Sequence, residues 1–143
     1  MLTNCFVDVD HAGDTETRRS QTCIVLFFNS ASIIWINKRQ NSVEASMFGS
    51  DFTTMKDAVE IIEALCYKLR MFGVPIDGST NIFCDNGAVC VNTTRYESTL
   101  PKKHHSISYH RTQEAVAAGK VRVSKEHTST NLTELLNKTM AAT

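Results

Sequence analysis

Apolar residues change their spacing near residue 48, and this change limits the folds that the chain can adopt. Upstream, three short apolar segments separated by turn-forming residues predict strands over Leu2–Val9, Thr22–Phe28 and Ser32–Asn37. The short links between them favour an antiparallel meander. Downstream, apolar residues recur at alternating steps of four and three, which predicts an amphipathic helix about 25 residues long that ends at Gly73-Val74-Pro75. Its stripe consists of Phe48, Phe52, Met55, Val59, Ile62, Cys66 and Leu69.

The second half of the chain alternates between strand-like and helical patterns. A short buried segment at Asn81–Cys84 and a segment with alternating polarity at Lys120–Ser124 predict further strands. Three segments predict helices, at Ala88–Asn92, Lys102–Ala118 and Thr130–Lys138, the last with Thr128 or Thr130 as its cap. The order of the elements predicts an α/β fold, a mixed sheet with helices packed against it. At 143 residues, we expect one domain over residues 1–143.

Charge and cysteine usage narrow the function classes. The formal net charge is zero, so a nucleic-acid surface would have to be local rather than global. The five cysteines form an odd set without a CxxC pair, which favours a reducing compartment. The N-terminus lacks a signal-peptide pattern, and no apolar stretch has membrane-spanning length. We therefore expect an intracellular monomer, in cytoplasm or nucleus, that is neither secreted nor bound to a membrane.

Acidic residues follow two of the predicted strands. The first strand runs into Asp8 and Asp10, which point to the same face because side chains alternate along a strand. Asp85 ends the strand Asn81–Cys84, and if that strand is parallel to the first, Asp8 and Asp85 lie side by side. Like charges beside a buried strand are costly unless a cation, basic groups or water offset them. The simpler interpretation is a strand end with solvated acids.

Two more carboxylates belong to helices. Asp51 lies three residues after Phe48 and four before Met55, so it points to the buried side of the long helix. Glu134 sits at the edge of an apolar face in the last predicted helix. Four carboxylates that converge on one sheet edge would form the oxygen-only ligand set preferred by Mg²⁺ or Mn²⁺. Two such ions activate a water and stabilise the leaving oxygen of a phosphodiester.

Six segments, in order and over roughly residues 2–140, resemble the ribonuclease H domain of copia-type retrotransposon Pol polyproteins. In the first half of the chain, Phe6–Asp14 is similar to the family pattern YSDADWAGD, Arg18–Phe28 to RRSTSGYVFFL, and Ile34–Gln40 to ISWSSKKQ. In the second half, Ile82–Val89 is similar to IYCDNQSAI, Lys103–Arg111 to TKHIDIRYHFIRE, and Thr133–Lys138 to ADILTK. The resemblance implies a ribonuclease H-like fold, whose mixed five-stranded sheet has a three-strand antiparallel meander plus two parallel strands and is flanked by helices.

The same resemblance implies metal-dependent hydrolysis of the RNA strand of RNA–DNA hybrids, with two Mg²⁺ or Mn²⁺ ions. Carried over by position, the catalytic metal ligands are Asp8, Asp51, Asp85 and Glu134. It also implies a reverse transcriptase domain as a partner in a parent polyprotein.

The chain departs from the family pattern at two of these ligands. Asp51 stands where the family has the glutamate of STEAEY, and Glu134 stands where it has the aspartate of ADILTK. Misplacing a catalytic group by about 1 Å can cost on the order of 10²-fold in rate. The second hypothesis is therefore a drifted, catalytically impaired remnant that acts at most as a nucleic-acid-binding module.

Other residues carry weaker signals. Two basic pairs have two interpretations: they would contact the phosphates of a hybrid, or they would belong to ordinary solvated turns. These pairs are Lys38 with Arg39 and Lys102 with Lys103. His127 lies in the loop before the Glu134 helix, where cellular ribonucleases H often place a histidine that aids product release. We expect Trp35 to be a core residue rather than a base-stacking platform.

A third hypothesis comes from another enzyme class. The pair Asp8 and Asp10 after an apolar strand also fits a haloacid dehalogenase-type phosphatase with Asp8 as nucleophile. Such enzymes need a downstream lysine and a further acidic pair, which Asp85-Asn86 serves poorly, and a cap domain does not fit in this length.

Overall fold

The computed structural model describes residues 3–10, 15–41, 43, 47–87, 89–90 and 106–133. Five strands and two helices are described, together with a 3₁₀ turn at Thr128–Thr130. The strands are β1 (Thr3–Asp10), β2 (Gln21–Phe28), β3 (Ala31–Arg39), β4 (Thr80–Cys84) and β5 (Val121–Lys125), and the helices are α1 (Met47–Met71) and α2 (Ser106–Ala117).

The five strands form one sheet in the order β3-β2-β1-β4-β5. The first three strands are antiparallel neighbours, and β4 and β5 continue the sheet in parallel with β1. The turn at Asn29-Ser30 joins β2 to β3, and Asn29 adopts a positive φ of 55°, a conformation that asparagine tolerates better than most residues. This topology confirms the predicted fold class.

Helix α1 packs its apolar stripe on the sheet. Phe52, Met55 and Val59 are fully buried, and they belong to one core cluster with Cys5 and Val7 of β1. Because the side chains of β1 alternate, its odd-numbered residues face α1 for most of the strand. The packing places the first two turns of α1, which include Asp51, over the sheet.

Helix α2 is fixed to α1 by an aromatic contact and an ion-pair network. The Phe52 and Tyr109 rings meet edge to face, with their centroids 5.7 Å apart. Glu63 of α1 accepts hydrogen bonds from Arg111 of α2 and from Lys120, whose ammonium lies 3.2 Å from a carboxylate oxygen. Glu63 therefore ties α1 to α2 and to the start of β5.

The strand predictions agree with the structure to within a few residues, but Trp35 does not occupy the core. Its side chain is 67% exposed. Strand β3 is the edge of the sheet, and its alternation turns Ile34 and Ile36 toward the core, so Trp35 faces the other side. The prediction of a core tryptophan was wrong.

The predicted helices match in part. Within the predicted Ala88–Asn92 segment, residues 89 and 90 are helical, as is 87, and the remaining residues lie outside the described ones. Residues 102–105, the start of the predicted helix Lys102–Ala118, also lie outside the described residues. In the described part of the predicted helix Thr130–Lys138, Thr130 ends a 3₁₀ turn and residues 132 and 133 form a turn, and the rest lies outside the described residues. Among the described residues, no helix is long and apolar enough to span a bilayer.

Candidate metal centre

The parallel pairing of β1 and β4 brings two of the predicted acids side by side. Asn4, Cys5 and Phe6 lie opposite Asn81, Ile82 and Phe83. Continued for two residues, this register places Asp8 opposite Asp85 at the carboxyl ends of the strands. Neighbouring strands are roughly 4.8 Å apart, so the two acids leave adjacent backbones at the same edge.

Asp51 approaches the same point from helix α1 and is only 9% exposed. The helical turn that carries it is tied to β2 and to the residue before that strand: the Thr54 hydroxyl lies 3.1 Å from that of Thr22 in β2, and the Ser50 hydroxyl lies 2.8 Å from that of Ser20. The Gln40 side-chain amide also donates to the Ser50 carbonyl at 3.1 Å. These buried bonds fix the height and rotation of α1 relative to the sheet, and hence the direction of Asp51.

The three acids line one small cavity. It has a volume of about 10 Å³, which is the space of a single water-sized particle. Its wall consists of Val7, Asp8, Asp51, Thr54, Met55, Cys84, Asp85 and Val89. The structure thus gathers carboxylates from β1, α1 and the end of β4 around a space that an ion or a water can enter.

The surroundings of Asp51 oppose its ionisation. Burial, with repulsion from Asp85 and Asp8, raises the pKa of Asp51 to about 7. A hydrogen bond of 2.6 Å from the Asn86 amide to Asp51 Oδ2 acts against this rise. Without a positive charge nearby, Asp51 therefore keeps its proton to a much higher pH than an ordinary aspartate does.

The thiol of Cys84 also lines the cavity. A hydrogen bond with Cys90, together with burial, raises the pKa of Cys84 far above its usual range. Only a thiolate is an effective metal ligand, so Cys84 remains a neutral part of the wall. The charged groups that this cavity offers to a metal ion are therefore the carboxylates, through their oxygen atoms.

The acids are close but do not yet form a closed ligand set. Within the described ranges, no three acidic, histidine or cysteine side chains are arranged as a ready metal-binding group. Asp51 Oδ2 accepts from Asn86, and Asp8 Oδ1 accepts from the Val9 amide at 2.8 Å. A cation would have to draw these carboxylates together.

The remaining predicted residues are placed elsewhere or not described. Lys38 forms an ion pair of 3.5 Å with Asp57 of α1, and neither Lys38 nor Arg39 lines the cavity. His127 is exposed, and its Nδ1 lies 2.9 Å from the Ser129 hydroxyl. Glu134, Lys102 and Lys103 lie outside the described residues.

Two asparagines near the acids were not singled out by sequence reasoning. Asn86 donates from its side-chain amide to Asp51 Oδ2 at 2.6 Å, and its position directly after Asp85 is the signal that points to it. Asn131 donates from its side-chain amide to the Val7 carbonyl at 3.0 Å, across 124 residues of sequence. Such a long-range contact leaves no trace in local sequence patterns.

Comparison with solved structures identifies the fold as that of ribonuclease H. RNase H1 from the halophilic archaeon Halobacterium salinarum superimposes with a TM-score of 0.66 at 11% identity, over 93% of this chain and 91% of the other. LC11-RNase H1 in complex with RNA/DNA hybrid gives a TM-score of 0.61 at 12% identity, over 91% of this chain and 88% of the other. No protein-family model matches the chain.

In sequence, the relatives are copia-type retrotransposon Pol polyproteins, as the motif resemblance predicted. The chain is 27% identical over 143 residues to the retrovirus-related Pol polyprotein from transposon RE1 of Arabidopsis thaliana. It is 24% identical over 133 residues to the one from transposon TNT 1-94 of Nicotiana tabacum. The chain spans about 10% of the length of each relative.

Proposed function

We propose that this chain is a divalent-metal-dependent endoribonuclease that hydrolyses the RNA strand of RNA–DNA hybrids. The observation that carries the proposal is the convergence of Asp8, Asp51 and Asp85, from three separate elements, on one cavity. The ribonuclease H fold supports it, and so does the RNA/DNA hybrid bound to one structural neighbour. The Pol relatives favour a reverse transcriptase domain as the partner of this one in a longer chain.

The donor set fits a hard cation. Carboxylate oxygens are the ligands that Mg²⁺ and Mn²⁺ prefer, and a cation removes the repulsion that raises the pKa of Asp51. The cavity holds one water-sized particle, so two ions would require its side chains to separate. Glu134, the residue after Thr133 in the sequence, completes the proposed ligand set.

Each residue has a defined task in this proposal. Asp8 and Asp85 hold the ions at the sheet edge, and Asp51 and Glu134 hold them from the flanking segments. Bound Mg²⁺ or Mn²⁺ would activate the attacking water and stabilise charge on the leaving oxygen. Lys38 and Arg39, with Lys102 and Lys103, contact backbone phosphates without reading sequence, and His127 assists product release.

One observation favours the second candidate, a non-catalytic remnant. The short side chain of Asp51 is already engaged by Asn86 at 2.6 Å, and a ligand held away from the ions would weaken catalysis. Saturable binding of Mn²⁺, followed by calorimetry, separates the two candidates. Without such binding, the remnant is the better description.

Cleavage of a labelled RNA–DNA hybrid in Mn²⁺ tests the enzyme directly. We expect the wild-type chain to cut the RNA strand, and Asp85→Asn to lose at least about 10²-fold in rate because it lacks one ligand carboxylate. Asp77→Asn is the matched control: it makes the same change at an exposed position at the other end of β4, and it should cut like the wild type. Equal traces of cleavage in all three proteins would indicate contamination and an inert domain.

A further inference from the structure

Asn131 lies where the pairing of β1 and β4 stops. The last pair between these strands is Phe6 with Phe83, whereas β4 and β5 remain paired as far as Cys84 and Lys125. The Val7 carbonyl is therefore one residue beyond the paired region of β1 and β4. It accepts a hydrogen bond of 3.0 Å from the side-chain amide of Asn131.

The other end of the same side chain is fixed by Thr133. Asn131 Oδ1 accepts from the Thr133 backbone amide at 3.1 Å and from the Thr133 hydroxyl at 2.6 Å. These two donors identify the oxygen end of the carboxamide, so the nitrogen must face Val7. Asn131 is 4% exposed and Thr133 is fully buried, which makes each of these bonds costly to lose.

The bond acts on the peptide unit that leads into Asp8. The Val7 carbonyl and the Asp8 amide belong to one rigid plane, so holding the carbonyl restricts the backbone from which the Asp8 side chain leaves. Asp85 is fixed independently, because the Glu126 amide donates to the Cys84 carbonyl at 2.7 Å. Each strand end is thus held one residue before its acid by a group from the segment that follows β5.

From this geometry we infer that Asn131 is a positioning residue for the metal centre, and that it sets the Asp8 carboxylate against Asp85 without contacting the ion. The inference rests on the proposed function. Mutating a residue that hydrogen-bonds to a metal ligand typically lowers metal affinity by about 10–100-fold. The same range applies here because Asn131 acts through the backbone of a proposed ligand.

The test compares two asparagines whose side-chain amides each donate a hydrogen bond to a residue of β1. Asn131→Ser keeps a hydroxyl that can accept from the Thr133 amide but is too short to reach Val7. Asn81→Ser is the control, since the Asn81 amide donates to the Asn4 side chain at 3.1 Å, at the opposite end of the β1–β4 pairing. Mn²⁺ affinity is measured by calorimetry without substrate, and NMR follows the Asp8 amide.

We expect Asn131→Ser to weaken Mn²⁺ binding by about tenfold or more and to shift the Asp8 amide resonance, with neither change in Asn81→Ser. Equal affinities for the wild type and Asn131→Ser would overturn the inference while leaving the proposed function intact. Equal weakening in both variants would also overturn it, because the effect would then be a general loosening of the sheet. A wild-type chain that binds no Mn²⁺ overturns the proposed function, and this inference with it.

If Asn131→Ser does not fold, Thr133→Val replaces it in the comparison. This isosteric change removes only the 2.6 Å bond that orients the Asn131 carboxamide. It should weaken Mn²⁺ binding in the same direction, and unchanged binding in a folded Thr133→Val protein would refute the positioning role.

Discussion

Replacing Asp51 by asparagine should stabilise the metal-free protein, and the gain should grow with pH. Burial and the neighbouring acids Asp85 and Asp8 raise the pKa of Asp51 to about 7, so the folded state binds the Asp51 proton more tightly than the unfolded state does. The stability that this protonation provides is complete at low pH and is lost as the pH rises through 7. Asparagine has no proton to lose, and its carbonyl can still accept from Asn86.

The magnitude follows from the rise in pKa from the ordinary value of 3.8 to about 7. At pH 8 the ionised Asp51 costs the folded state about 4 kcal/mol, and at pH 5, where the folded state keeps the proton, the cost is about 2 kcal/mol. The stabilisation by Asp51→Asn should therefore be roughly 2 to 3 kcal/mol larger at pH 8 than at pH 5.

Urea denaturation in the presence of a chelator at the two pH values measures this difference. Asp77→Asn, at an exposed position, serves as the control and should show no such pH dependence. Adding Mn²⁺ at pH 8 should raise the stability of the wild type more than that of Asp51→Asn, since a ligand stabilises the state that binds it. If Asp51→Asn gains the same stability at pH 5 and pH 8, the buried acid cluster described above is wrong.

Two further predictions concern other parts of the fold. Burial raises the pKa of Glu63, but the hydrogen bonds from Arg111 and Lys120 outweigh burial and lower it below the ordinary 4.5, so Glu63→Gln should cost up to about 1 kcal/mol at pH 7. That cost should vanish as the pH falls through the lowered pKa, and a cost that persists at low pH in urea denaturation would contradict the ion-pair explanation. Trp35, the single tryptophan, is 67% exposed, so its fluorescence should be that of a solvated indole, readily quenched by acrylamide, and Trp35→Phe should change stability by less than about 0.5 kcal/mol. A blue-shifted, protected emission would instead place it in the core.

Local patterns were sufficient for most of the fold. The stripe that includes Phe52 and Val59 predicted α1 because a helix buried on one side repeats its apolar residues every 3.6 positions. The strands were equally clear where apolar and polar residues alternate. In β3, by contrast, Ile33, Ile34, Trp35 and Ile36 are all apolar, so the pattern could not tell which side faces the core. That depends on which side of the sheet α1 covers, which is a property of the assembled fold.

The candidate site was predictable only in part. Helical spacing placed Asp51 on the buried side of α1, and its 9% exposure agrees. The position of Asp8 beside Asp85 required parallel pairing of β1 and β4, which periodicity alone does not establish. Asn86 and Asn131 act through contacts that depend on the assembled fold. The predicted helix that Thr128 or Thr130 would cap extends beyond the described residues, so that cap stays a prediction.

Stability and the proposed activity make opposite demands on this cavity. A folded chain would be more stable if Asp51 were neutral, yet a divalent cation needs its charge. Asn86 is a compromise between these demands, because its amide stabilises the Asp51 carboxylate but also occupies one of the two oxygens that a cation would use. In the family pattern a glutamate stands at position 51, and its extra methylene would carry the carboxylate farther into the cavity. The aspartate in this chain therefore shifts the balance toward the metal-free protein, so metal affinity, rather than the fold, is the property that decides between enzyme and remnant.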